Sequence, residues 1–176
     1  MCDAAPPPTR PHMAPLHPQA DFLPAYAAYI REVIISAVAH PKHPSTPLEG
    51  WHVVVNAGNG AGGFFADQVL QPLGASTAGS INLEPDGTFP AHIPNPEDKT
   101  AMGMTVEAVL RSKADLGIVF DTDVDRSGVV DADGTVINKN RYIALMAAIT
   151  LRYGENLMFS LCVFSRGPWV CRSMWF

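Results

Sequence analysis

Three aspartates stand at every second position in the stretch Asp121-Thr122-Asp123-Val124-Asp125-Arg126. In extended chain, alternate side chains project from one face, so the spacing predicts that Asp121, Asp123 and Asp125 converge on one point. Carboxylates that close repel one another, and a bound cation relieves the repulsion. An all-oxygen donor set suits Mg²⁺ or Ca²⁺, and Mg²⁺ takes few carboxylates and shares its shell with phosphate. Arg126 adds a planar charged fork that matches phosphate oxygens. A cation site beside such an arginine points to phosphoryl chemistry.

Two other readings share the spacing. One is a solvated acidic turn between two strands. The other is an EF-hand, but that loop needs Gly at its sixth position and Glu at its twelfth, where this chain has Arg126 and Ala132. The flanks also read as strands rather than helices. Leu116, Ile118, Val119 and Phe120 form an apolar run of strand length. Gly128-Val129-Val130 forms a second run, and Asp133-Gly134 marks the turn after it.

The stretch from Gly117 to Asp131 resembles the metal-binding loop of the α-D-phosphohexomutases, the phosphoglucomutase and phosphomannomutase enzymes. Their loop usually reads D-G-D-x-D-R, and Thr122 departs from its first glycine. Two further segments agree in order. Val55-Asn-Ala-Gly-Asn-Gly-Ala-Gly-Gly63 resembles the opening strand, turn and helix of the family's second domain, where its role looks structural. Pro85-Asp-Gly-Thr-Phe-Pro90, continued by Pro94-Asn-Pro96, resembles the P-D-G-x-F-P and P-N-P segment that crosses near the active cleft.

The resemblance runs from about residue 21 to residue 154. It implies an α/β fold, a three-layer sandwich with a mixed sheet. It also implies an enzyme that moves a phosphoryl group between C1 and C6 of a hexose through a phosphorylated serine. Mg²⁺ would be held by Asp121, Asp123 and Asp125 and would act as a Lewis acid, with Arg126 contacting phosphate. Hexose phosphate is the implied substrate of the complete four-domain enzyme. No Ser-His-x-Pro nucleophile loop occurs in this sequence. The family's sugar-binding loop and its Ser/Gly/Thr-rich phosphate loop are missing too. The expectation is therefore a fragment that supplies the metal loop and has no turnover alone. A non-catalytic product that associates with a full-length mutase is a further reading.

A competing reading comes from the glycine turn. Gly58, Gly60 and Gly63 match G-x-G-x-x-G between a strand (51–57) and a helix whose inner face is Ala66, Val69, Leu70 and Leu73. Glu84 lies about twenty residues on, at the end of a possible strand from Ser80 to Leu83. That is the outline of a dinucleotide-binding half-domain. Against it, a glycine turn also lets a strand run tightly into a helix with no ligand, and the chain after Glu84 does not continue as a βαβ unit.

The elements that must carry these motifs follow from periodicity. Tyr26, Tyr29, Ile30, Val33, Ile34 and Ala37 predict a helix over 25–39, ended by Pro41 and Pro44. Residues 84–98 hold four prolines and read as a surface loop, with His92 a solvated ring that carries no assigned role. A second amphipathic helix is expected over 99–113, with Val106, Val109 and Leu110 inward and Lys113 at its C-terminal end. A short strand follows at 134–138. A helix over 139–153 turns Ile143, Met146, Ala147, Thr150 and Leu151 to one face.

The domain expectation is a disordered Pro-rich tail (1–24), with seven of the chain's sixteen prolines, then the second domain of a phosphohexomutase (25–138). The first helix of a truncated third domain (139–154) and an unmatched tail (155–176) complete it. The tail's change of character is expected to reflect a frameshift or retained intron. The 176 residues suffice for one ordinary domain. A net charge of −5 without a basic patch argues against nucleic-acid binding. No apolar stretch approaches the ~20 residues of a membrane span. Three cysteines without framework spacing fit a reducing compartment, and cytoplasmic is the expected location.

Overall fold

Strand β1 (Val53–Asn56) is buried at every position, because helical layers cover both its faces. The computed structural model describes residues 21–153, with side chains through Ile149. Strand β2 (Leu116–Phe120) runs parallel to β1, with Val53 opposite Leu116 and Asn56 opposite Val119. Strand β3 (Ser127–Asp131) returns antiparallel to β2, so the three-stranded sheet is mixed, in the order β1-β2-β3. The architecture is thus α/β, as expected.

Alternation along the strands divides the core. Val53, Val55 and Phe120 meet Ala66 and Leu70 on one side of the sheet. Val54 and Val130 meet Ala108 and Val109 of helix α2 (Lys99–Ser112) on the other. Gly117 allows α2 to come close, since a Cβ there would lie 2.4 Å from Val109 Cγ2. Asp98 caps α2, its carboxylate accepting from Thr100 N at 2.8 Å and Ala101 N at 3.0 Å. Lys113 ends the helix in a left-handed conformation.

The helix expected after the glycine turn is a continuous helical segment of mixed pitch: 3₁₀ at Ala61–Gly63, π at Phe65–Leu70 and 3₁₀ again at Gln71–Leu73. Its expected inner face, Ala66, Val69, Leu70 and Leu73, is fully in the core. Pro72 accounts for part of the irregularity. It has no N–H to offer the Gln68 carbonyl, and its ring would clash there. The Arg31 guanidinium of helix α1 (Leu23–Val38) donates to that carbonyl instead. Arg31 thereby ties α1 to the 61–73 segment, alongside the packing of Ala27 on Val69 and Leu73.

Three expectations are corrected. Ser80–Leu83 is not a strand; only Ile81 bridges, to Asn56, because Gly79 and Asn82 on either side take positive φ. The strand at 134–138 reduces to one bridge, Val136 to Val130. Leu110 points outward, 51% exposed, and covers Gly134 rather than the core. Helix α3 (Lys139–Tyr153) forms as expected, with Ile143 and Met146 exposed and Ala147 half-buried on the face they share. Both faces of β1 are already covered by other elements, and α3 instead stands at the β3 side. The side chains of Thr150 and Leu151, residues 1–20 and the tail from 154 lie outside the described residues. Among the described residues no helix is long and apolar enough to cross a membrane.

Candidate metal and phosphate site

The aspartate loop begins where β2 ends and closes on itself. Asp121 N–H donates to the Arg126 carbonyl at 3.2 Å, and Arg126 N–H donates back to Asp121 Oδ1 at 3.1 Å. The loop is therefore a turn and not an extended strand. It brings Asp121, Asp123 and Asp125 together all the same: one carboxylate oxygen from each lies within 4.8 Å of the others. Asp121 is buried, and Asp123 and Asp125 are exposed.

The turn needs one left-handed residue, and that residue is Val124, at φ +68°. A β-branched side chain is disfavoured there. Its side chain is partly buried against the cluster that contains Phe120 and Val55. Thr122 takes no positive φ, so the place where the motif departs from glycine carries no strain.

Arg126 lies within the loop's own network. Its Nε donates to Asp121 Oδ2 at 2.9 Å and lies 3.6 Å from Asp125. The rest of its side chain is exposed, facing a cleft of about 950 Å³ between α2, β3 and α3. Asp125, Met102, Lys139 and Tyr142 also line that cleft. Lys139 spans its edge, donating to Glu97 at 2.5 Å.

Charge is unevenly shared. A hydrogen bond shared with the Asp121 carboxyl, then the negative charges of Asp123 and Asp121, push the Asp125 carboxyl above its ordinary value. Burial pushes Asp121 upward, but the hydrogen bonds from Arg126 N–H, Asp125 and the Arg126 guanidinium outweigh it and hold Asp121 below the ordinary value. The loop thus carries more negative charge than Arg126 neutralises. Arg126 occupies one site on each Asp121 oxygen, and a carboxylate offers about four in all. The donor set and its spacing fit a hard divalent cation with oxygen ligands.

The glycine turn has no free face for a dinucleotide. A Cβ at Gly58 would lie 2.9 Å from Pro94 Cβ, at Gly60 2.7 Å from the Thr122 carbonyl oxygen, and at Gly63 2.0 Å from the Leu83 carbonyl oxygen. The Ala61 N–H, at the start of the helical segment, donates to Thr122 O at 2.9 Å. Protein fills the space that pyrophosphate would need, and Glu84 is exposed on a loop rather than at a strand end.

Behind the turn lies a polar cluster that periodicity did not reveal. Asn56 is fully buried; its Oδ1 accepts from Gly58 N–H, Asn82 Nδ2 and the His92 ring, and its Nδ2 donates to Thr105 Oγ1 at 3.0 Å. His92 is buried at 7% exposure, with Nδ1 2.9 Å from the Ile93 carbonyl oxygen, so it is not a solvated ring. The available signal was an asparagine closing an otherwise apolar strand, immediately before a glycine turn.

Comparison with known proteins agrees with this architecture. The family profile described as phosphoglucomutase/phosphomannomutase, alpha/beta/alpha domain II, matches residues 24–134. A phosphomannomutase/phosphoglucomutase of Pseudomonas aeruginosa is 36% identical over 145 residues, which is 81% of this chain and 29% of that protein. A probable phosphoglucosamine mutase of Methanosarcina barkeri is 40% identical over 93 residues, 53% of this chain and 21% of that protein. Among solved structures, a phosphoglucomutase/phosphomannomutase family protein of Burkholderia thailandensis superposes with a TM-score of 0.55 at 28% identity, over 70% of this chain and 26% of that one.

Proposed function

Because this chain belongs to the phosphoglucomutase/phosphomannomutase family, we propose that it is the second, metal-loop domain of a phosphohexomutase. It spans only 29% of the length of the Pseudomonas relative. The reaction assigned to the complete enzyme is transfer of a phosphoryl group between positions 1 and 6 of a hexose phosphate. The observation that carries this reading is the convergence of Asp121, Asp123 and Asp125 at the end of β2, beside Arg126 and an open cleft.

In this role the three carboxylates hold Mg²⁺, which supplies positive charge to the oxygens of the transferring phosphoryl group. Arg126 is anchored through Nε and presents its outer guanidinium edge to a phosphate in the cleft. Asp121, deprotonated and buried, orients that guanidinium as well as the cation. The reacting nucleophile belongs to the Ser-His-x-Pro loop that this sequence does not contain.

Calorimetric titration of the full chain with Mg²⁺ tests the assignment. Wild-type protein binds weakly and saturably, and Asp123→Asn, which removes an exposed ligand without disturbing the core, weakens binding at least tenfold. The same preparation shows no conversion of glucose 1-phosphate to glucose 6-phosphate. Equal titrations for the two proteins, or turnover by the pure chain, contradict the reading.

One observation favours a second reading, a non-catalytic chain that pairs with a full-length relative. Helix α3 exposes Ile143, Leu145 and Ile149, an apolar surface that the described residues leave partly open. Co-purification with a complete mutase supports it, and a clean monomer in the presence of that mutase opposes it.

A further inference from the structure

We propose that Gly60 and Ala61 are positioning residues for the aspartate loop: the glycine turn is the mould against which the loop is shaped. This rests on the metal reading above and extends it to residues that touch no ligand.

A helix leaves its first N–H groups without partners inside the helix. At the start of the 61–73 segment, the Ala61 N–H finds its partner in the Thr122 carbonyl, at 2.9 Å. Thr122 sits between Asp121 and Asp123, so this bond fixes the peptide that sets the angle between two of the three carboxylates. Gly60 lies directly beneath the same peptide. A Cβ there would stand 2.7 Å from Thr122 O and 3.0 Å from Thr122 Cα, both backbone atoms that no rotamer change can move aside. Gly60 has extended backbone, φ −87° and ψ −163°, so its need for glycine comes from this close approach and not from handedness.

The turn is itself held from behind. Gly60 N–H donates to the Ala57 carbonyl at 2.8 Å, and Asn59 N–H to the Asn82 carbonyl at 2.8 Å. Gly58 N–H is held by the buried Asn56 at 3.1 Å. A rigid support bonded to one carbonyl of the metal loop acts as outer-shell partners of metal ligands do, by holding the ligands in their binding arrangement.

Two substitutions separate this from a purely structural role. Ala61→Pro deletes the donor while suiting the helix start, where proline is tolerated, after a residue already extended. Ala61 is exposed, so no packing is lost. Gly60→Ala instead pushes on the Thr122 peptide. Gly87→Ala is the control, a glycine with nothing within 4 Å of its added Cβ. Each full-length protein is titrated with Mn²⁺ by electron paramagnetic resonance, and its amide resonances are compared with wild type.

Ala61→Pro is expected to weaken Mn²⁺ binding about tenfold or more, to shift the amides of residues 121–126, and to leave the melting temperature nearly unchanged. Gly60→Ala gives the same shifts with a larger loss, and Gly87→Ala gives neither. Unchanged affinity and unchanged 121–126 amides in Ala61→Pro overturn the proposal. If wild-type binding is insensitive to Asp123→Asn, the metal reading fails by itself. The amide shifts of Ala61→Pro then still decide whether the turn shapes the loop.

Discussion

Val124 holds the least favourable backbone conformation in the aspartate loop, and its side chain explains why it is tolerated. A left-handed L-residue costs about 1–2 kcal/mol. Against that, Val124 lays part of its side chain on the cluster around Phe120 and Val55, which recovers on the order of 1 kcal/mol. The two effects nearly offset, so the substitutions should rank in an unusual order. Val124→Gly loses the packing but relieves the strain, whereas Val124→Ala loses the packing and keeps it. Urea denaturation should therefore find the alanine variant less stable than the glycine variant by about 1 kcal/mol. The reverse order would mean that the loop backbone is not left-handed at this position.

The same residues mark what sequence reasoning reaches. The identity of the three aspartates and Arg126 is plain from their spacing. The reason offered for their convergence, alternation along an extended strand, is not what brings them together; a closed turn is. That turn depends on φ at Val124 and on hydrogen bonds between Asp121 and Arg126. Neither leaves a trace in hydrophobic period, and valine argues locally against a positive φ.

Among the elements, strands and helices with a strong apolar period formed where expected. β1, β2, β3 and the helices α1 and α2 lie within a few residues of their predicted bounds. The weak elements did not survive. Ser80–Leu83 and 134–138 are too short to hold a ladder once a glycine or a left-handed residue interrupts them, and only single bridges remain. The burial of Asn56 and His92 was not legible in the sequence, because burial of a polar side chain depends on partners far away in the chain, Thr105 among them.

The N-terminus of α2 allows a test at this scale. Asp98 has a lowered pKa, chiefly through the Ala101 N–H and with the help of Thr100. A carboxylate lowered on folding stabilises the native state fully above its unfolded value, near 3.9. That contribution fades as pH falls through the lower folded value. Asp86, Glu97 and Asp133 are lowered as well, so each contributes in the same sense, whereas Asp125 is raised and acts in the opposite one. The difference between wild type and Asp98→Asn isolates the cap. It should be constant above about pH 5 and shrink below pH 4. A difference that stays constant down to pH 2 would show that the carboxylate charge plays no part in capping α2.

At the scale of the molecule, the described residues form a sheet with helices on both faces and one helix, α3, whose Ile143, Leu145 and Ile149 are exposed. The aspartate loop and the cleft beside it open toward that same helix. A domain built this way presents its site at an edge where further chain can approach, consistent with a match to only 29% of the Pseudomonas relative. Relatives with different names, a phosphomannomutase/phosphoglucomutase and a probable phosphoglucosamine mutase, both match this chain.

We propose that three carboxylates of this loop form one cation site. Crystals of the full chain soaked in Mn²⁺ and measured for anomalous scattering test it most directly. One strong peak is expected about 2.1 Å from an oxygen of each of Asp121, Asp123 and Asp125, with Arg126 still on Asp121. Ordered carboxylates with no peak between them, or a peak held by other residues, would contradict it.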